Sequence, residues 1–208
     1  NPTPGTVAVI VNADGTEEVI RTSVPTENGV TVALPDGATV KIVDKSKTFA
    51  DVPADNWAAD AVSFSSARGL FNGTAENTFT PSAPMTRAML MTVLARFDGE
   101  DTSGGATWYS KGMDWAVSKG VSDGSNPNGN ISREQLAVML WRYSGSPASS
   151  GTLDGFADAG SVSGYAQEAM RWAVENGIIS GYGNGQLVPR GNATRAQVAQ
   201  MLKNFIEK

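Results

Sequence analysis

The sequence predicts a mainly α chain: three helical repeats packed around a shared core, preceded by a small N-terminal antiparallel β-hairpin module, α+β overall. Three observations carry this. A glycine pair followed by a hydroxyl residue and arginine occurs three times, as Gly69 and Gly73 before Thr86-Arg87, Gly120 and Gly124 before Ser132-Arg133, and Gly177 and Gly181 before Thr194-Arg195. Apolar residues around each copy recur at helical spacing, whereas residues 6–43 alternate with period two between turn signals.

Residues 1–47 read as the β module. Val7 to Val11 is an apolar, β-branched run, Asn12-Ala13-Asp14-Gly15 is a turn, and Thr16 to Thr22 returns. A second hairpin is expected from Gly29–Leu34 and Ala38–Val43 around Pro35-Asp36-Gly37, with Val30, Val32 and Leu34 set against Val40 and Ile42. Some 40 residues of sheet bury too little to stand alone, so the module should lean on its neighbour or on an upstream domain of the same longer protein.

Superposed on the first glycine, the copies align Trp57, Trp108 and Tyr165, then Ala61, Gly112 and Ala169, then Val62, Met113 and Met170, then Phe64, Trp115 and Trp172. That spacing predicts an amphipathic helix stopped by a glycine in the left-handed conformation. Superposed on the arginine, Leu90, Val93, Leu94 and Phe97 match Leu136, Met139, Leu140 and Tyr143, and Val198, Met201, Leu202 and Phe205, one core stripe of a second helix. Thr86, Ser132 and Thr194 stand where an N-cap belongs. Gln135 and Gln197 complete a capping box in copies two and three, where copy one has Met89. The expected boundaries are 48–97, a linker 98–106, a shortened copy 107–143, a linker 144–154, and 155–208. Units of this size cannot each bury a helix pair, so the three should pack around a shared core.

Composition narrows the chemistry. The 208 residues contain no cysteine and no histidine, which removes disulfides, thiolate metal sites, cysteine nucleophiles and the commonest general base. A net charge of −5 argues against nucleic acid and anionic lipid as partners. No run approaches the ~18 apolar residues of a membrane span. The start Asn1-Pro2-Thr3-Pro4-Gly5 has neither initiator methionine nor signal peptide, and reads as an excised piece of something longer.

These residues together resemble the S-layer homology domain, a family that usually comes as three tandem copies in bacterial surface proteins. The resemblance rests on Phe49-Ala50-Asp51, Trp57, Phe79-Thr80-Pro81 and Thr86-Arg87-Ala88-Met89 in copy one. In copy three it rests on Phe156-Ala157-Asp158, Tyr165, Leu187-Val188-Pro189 and Thr194-Arg195-Ala196-Gln197. Copy two keeps Trp108, the glycine turn and Ser132-Arg133-Glu134-Gln135 but lacks the aromatic-x-Asp and Phe-x-Pro elements. The resemblance implies that the three helical repeats form a pseudo-threefold bundle, and it implies an exported, cell-wall or S-layer location. It also implies non-covalent anchoring of an attached protein by binding secondary cell-wall polysaccharide, commonly pyruvylated, in grooves between repeats. No cofactor is implied.

The residues reach a similar site independently. An arginine at a helix start, beside a hydroxyl cap and free backbone N–H groups, is an anion receptor suited to an acidic sugar; the plain alternative is that Arg87, Arg133 and Arg195 pair with surface acids. Each arginine is expected to face the next copy's glycine turn: Arg87 with Gly120–Gly124, Arg133 with Gly177–Gly181, Arg195 with Gly69–Gly73. Trp57, Trp108 and Tyr165 fill the core, the weightier reading for an aromatic on an apolar stripe, or stack on a sugar. Gly73, Gly124 and Gly181 permit positive φ or let a ligand approach the backbone. Asp51 and Asp158 cap helices, the favoured reading, or accept sugar hydroxyls. Asp123 to Asn128 has calcium-loop composition without the ligand spacing, so no metal is expected. A glycoside hydrolase would need two cooperating carboxylates, and no acid recurs at a shared position, so the chain reads as non-catalytic. A spacer or oligomerisation module without glycan binding is the remaining alternative.

Overall fold

The computed structural model describes residues 1–208 and divides into two compact units: residues 1–82 with Glu207, and residues 83–206 with Lys208. No helix is long and apolar enough to cross a membrane.

In the first unit, β1 (Thr6–Val11) is the middle strand of an antiparallel sheet, between β2 (Glu17–Val19) and β5 (Val40–Asp44). The expected hairpin from 29–34 to 38–43 does not form. Val7, Ala8 and Val9 are fully buried, which a strand achieves only with neighbours on both edges, and β5 supplies the second edge in a register running from Thr6 opposite Asp44 to Ile10 opposite Val40. Residues 29–31 turn back instead on β3 (Val24–Thr26) as the separate ribbon β3–β4 (Gly29–Thr31), around Glu27-Asn28. Pro25 has no N–H to donate and is tolerated in such an outlying ribbon. Leu34 and Ile42, assigned to facing positions, are exposed.

The sheet leans on the first helix of copy one, α1 (Ala59–Ala67), because its own apolar face is too small: Val7 and Val9 pack on Ala67, with Val19 and Val43 alongside. Arg68, the C-cap residue, fastens the joint. Its buried guanidinium donates to the carbonyls of Ser23, Pro4, Thr6 and Phe64 and lies over the Phe64 ring. Burial without a carboxylate in contact lowers its pKa to about 10.

The second unit holds α2 (Arg87–Phe97), α3 (Ser110–Ser118), α4 (Arg133–Tyr143), α5 (Gln167–Glu175) and α6 (Arg195–Glu207). Helix ends follow the sequence closely. Gly120 and Gly177 have φ of 69° and 66°, as Gly69 has 68° after α1, and each closes a Schellman motif: Gly120 N–H donates to Val117 and Val121 N–H to Ala116, with Gly177, Ile178, Gly69 and Leu70 repeating the pattern. Thr86, Ser132 and Thr194 accept from the N3 amides, and the full capping box forms at Ser132–Gln135 and Thr194–Gln197 alone.

Two rings of contacts relate the three second helices. At their starts, Met85 N–H donates to Ala193 O (3.0 Å), Ala193 N–H to Ile131 O (2.9 Å) and Ile131 N–H to Met85 O (2.8 Å), a closed cycle of residues each two before its arginine. At the other end, the last stripe residues Phe97, Tyr143 and Phe205 meet as a triangle with centroids 6.0–6.2 Å apart. Outside this core α3 packs on α2, and α5 on α4, so within this unit the first helices of copies two and three rest on the preceding copy's second helix. Gly112 shows why the aligned position is small: a Cβ there would lie 2.7 Å from Thr92 Cα.

Candidate functional site

The helix starts that carry Arg87 and Arg133 do not present free backbone N–H groups. Arg87 N–H and Ala88 N–H donate to Gly129 and Pro127 carbonyls, Arg133 N–H and Glu134 N–H to Gly191 and Pro189, and the N3 amides to the caps. The connection between glycine turn and helix in the next copy supplies these acceptors, so the anion-receiving helix terminus expected from sequence is already filled. The hydroxyls of Thr86, Ser132 and Thr194 act as caps.

Asp51 and Asp158 are neither helix caps nor open acceptors. Each carboxylate takes two consecutive amides of the Phe-x-Pro-type segment, Asp51 from Phe79 and Thr80 (2.8 and 2.7 Å), Asp158 from Leu187 and Val188 (both 2.8 Å). Thr80 and Val188 have φ of 58° and 50°, a costly conformation for β-branched residues, and the carboxylate holds it in place. The Leu187 amide, and with it the Val188 amide, holds Asp158 below the usual aspartate range, while burial acts the other way.

Gly73 and Gly181 serve the same lock rather than a ligand or a positive φ: a Cβ would come within 3.1 Å of the Phe49 ring and 2.5 Å of the Phe156 ring. Phe, Asp, second glycine and Phe-x-Pro segment are therefore one structural unit. Copy two lacks the aromatic-x-Asp element and the Phe-x-Pro segment together, as expected if the carboxylate serves only to hold that segment, and keeps the second glycine. Gly124, left outside the lock, has φ 72°.

Trp57, Trp108 and Tyr165 are 64%, 56% and 58% exposed, which overturns their core assignment. α1 and α3 begin two residues after Trp57 and Trp108, and Tyr165 lies in the 3-10 turn Gly164–Ala166 before α5, so none sits on the helical stripe. Phe64, Trp115 and Trp172 are buried as expected, as are Met139, Met170 and Met201.

Two of the arginines face the next copy's glycine turn in the second unit. Arg87 Nε donates to Ser125 O (2.8 Å), and its Nη2 to Ser122 Oγ (3.1 Å) and Asp123 Oδ1 (2.9 Å). Arg133 Nε donates to Leu187 O and Nη2 to Ser180 O, both at 2.8 Å, under the Tyr182 ring. Burial lowers the pKa of Arg133, with Tyr182 and the Asp158 carboxylate acting the other way. Arg133 and Arg195 are buried side chains; Arg87 is half-buried.

Arg87 opens onto a groove of about 330 Å³, shared with Ser122, Asp123 and Ser125 of the copy-two turn, Gln135, Val138, Met139 and Arg142 of α4, and Tyr165. Glu134 orients that tyrosine: its buried carboxylate accepts from Ser163 N (2.9 Å), Ser163 Oγ (2.7 Å) and the Tyr165 hydroxyl (3.3 Å). Burial, then the neighbouring Glu134 carboxylate, raises the Tyr165 phenol above its ordinary value. Sequence reasoning missed Arg142 and Ser122 as groove residues. The signal was present in Gln135, Met139 and Arg142, which fall on one helical face.

The S-layer homology domain family model matches residues 48–88 and 155–199. Among curated relatives, the chain is 31% identical to an amylopullulanase of Thermoanaerobacterium thermosulfurigenes over 78% of this chain and 10% of that protein. It is 30% identical to the exoglucanase XynX of Acetivibrio thermocellus over 80% and 17%, and 29% identical to the S-layer protein sap of Bacillus anthracis over 83% and 23%. The chain thus spans about a tenth to a quarter of the length of these relatives. The family is a non-catalytic anchoring module that binds cell-wall polysaccharide. Matched to it at two places and related to surface-layer proteins, the chain is a cell-surface, cell-wall-associated anchoring module carrying S-layer homology domain sequence.

Proposed function

We propose that the chain anchors an attached exported protein to the wall by binding an acidic, pyruvylated secondary cell-wall polysaccharide, and that residues 107–143 are a third, shortened copy beside 48–97 and 155–208. The groove at Arg87 carries this reading. It combines the ingredients of acidic-sugar recognition: cations in Arg87 and Arg142, hydroxyls in Ser122 and Ser125, the Gln135 amide, and the exposed, oriented ring of Tyr165. Trp57 and Trp108 are likewise exposed ahead of α1 and α3.

The test is retention on isolated bacterial wall sacculi. The chain should sediment with intact sacculi, stay in solution once the polysaccharide is stripped, and lose most of its retention as the Tyr165→Ala variant. Equal sedimentation with stripped sacculi, or oligomers in light scattering with no wall binding, would replace the anchoring reading with that of a spacer.

A further inference from the structure

We infer that Arg142, rather than the motif residue Arg87, receives the acidic group of the ligand in this groove, and that Asp123 keeps Arg87 closed. The inference rests on the polysaccharide reading above. The Arg87 side chain is 15% exposed, and its Nε and Nη2 are committed to Ser125 O, Ser122 Oγ and the Asp123 carboxylate. Asp123 does not depend on Arg87 for its position: the same Oδ1 accepts from Ser125 N–H (3.0 Å) and Ser125 Oγ (2.8 Å), an Asx turn within its own loop. Those Ser125 hydrogen bonds are the largest cause holding Asp123 below its ordinary range, so it is an anion at neutral pH. A ligand carboxylate approaching Arg87 therefore meets a cation that already has its counter-ion and a second negative charge beside it.

Arg142 is the opposite case. It is exposed on the last turn of α4, lines the same groove, and its guanidinium has neither a hydrogen-bond nor an ion-pair partner. Nine residues after its own arginine, α6 has Asn204 at the matching position, with its amide given to the Gly177 and Ile178 carbonyls. Position 142 is thus where this groove carries a charge that the corresponding place in copy three lacks. A role confined to complementing the α4 dipole predicts a different outcome in the experiment below.

The experiment is isothermal titration of the whole chain with wall polysaccharide, before and after mild-acid removal of its ketal-linked pyruvate. Wild type should prefer the acidic form. Arg142→Ala should weaken binding of that form about tenfold or more, Arg142→Lys should recover part of it, and neither should change binding of the neutral form. Asp123→Asn should leave the affinity within about twofold. Unchanged binding of the acidic form by Arg142→Ala would overturn the assignment, as would a large gain in Asp123→Asn, which would return the acceptor role to Arg87. Failure of the wild type to bind either form would remove the polysaccharide reading and this inference together.

Discussion

Arg87 and Arg133 occupy the same position of the same motif, and each reaches into the next copy's glycine turn, yet they have become different objects. Arg87 meets Ser122, Asp123 and Ser125 and opens on a groove. Arg133, 3% exposed, meets only carbonyls and is covered by Tyr182, whose hydroxyl accepts from Gln197 Nε2 at 2.7 Å. The alignment of Ser125 with Tyr182, each directly after the second glycine, accounts for the contrast. A small residue leaves the guanidinium's surroundings open, and a ring pinned to the following helix closes them. The shared arginine is in both places a strut between copies, and its neighbours decide whether a ligand can use the place.

The largest expected effect follows from burial. Arg133→Ala removes a 3%-exposed side chain and leaves the buried Leu187 carbonyl without that donor, and should cost about 3 kcal/mol in urea unfolding, against about 1 kcal/mol for Arg87→Ala, whose partners Asp123 and Ser125 are exposed; equal costs would erase the distinction. Gly181→Ala drives a Cβ toward the Phe156 ring at 2.5 Å and Gln186 O at 2.9 Å, and should cost about 2 kcal/mol. Gly177→Ala has open space around it and only its φ to strain, so its cost should stay near 1 kcal/mol. At the small end, Met89→Gln should complete the capping box that copy one lacks and add a few tenths of a kcal/mol, visible as a slightly higher midpoint.

The pH dependence of stability tests the lock beside Arg133. Asp158 is lowered in the folded chain by the Leu187 and Val188 amides, so its contribution is complete above the unfolded aspartate value of about 3.9 and is lost as pH falls below it. Asp158→Asn should flatten the acid limb of urea stability between pH 5 and 3. A limb unchanged by the substitution would mean that the lock over Val188 does not depend on the carboxylate.

Sequence pattern went far here because the helix ends are local. Gly69, Gly120 and Gly177 stop helices, and Thr86, Ser132 and Thr194 start them, through contacts within a few residues. The strand pairing was misread because β1 needed a partner on each edge, a requirement set by burial rather than by the nearest turn. The site was half legible. Arg87 and Arg133 and their facing turns followed from the repeats, but the carbonyls of Gly129 and Pro127 that fill the helix start of Arg87 come from about 40 residues away. So does Asp123, 36 residues on, which neutralises that arginine. Periodicity also placed Trp57, Trp108 and Tyr165 on a stripe that the helices, starting later, do not include.

The most direct test exchanges the residue that separates the two places. Ser125→Tyr should close the Arg87 groove and abolish retention on wall sacculi while the unfolding midpoint stays close to that of the wild type. Wild-type retention by a folded Ser125→Tyr chain would contradict the account, since the ligand would then be held somewhere other than the groove at Arg87.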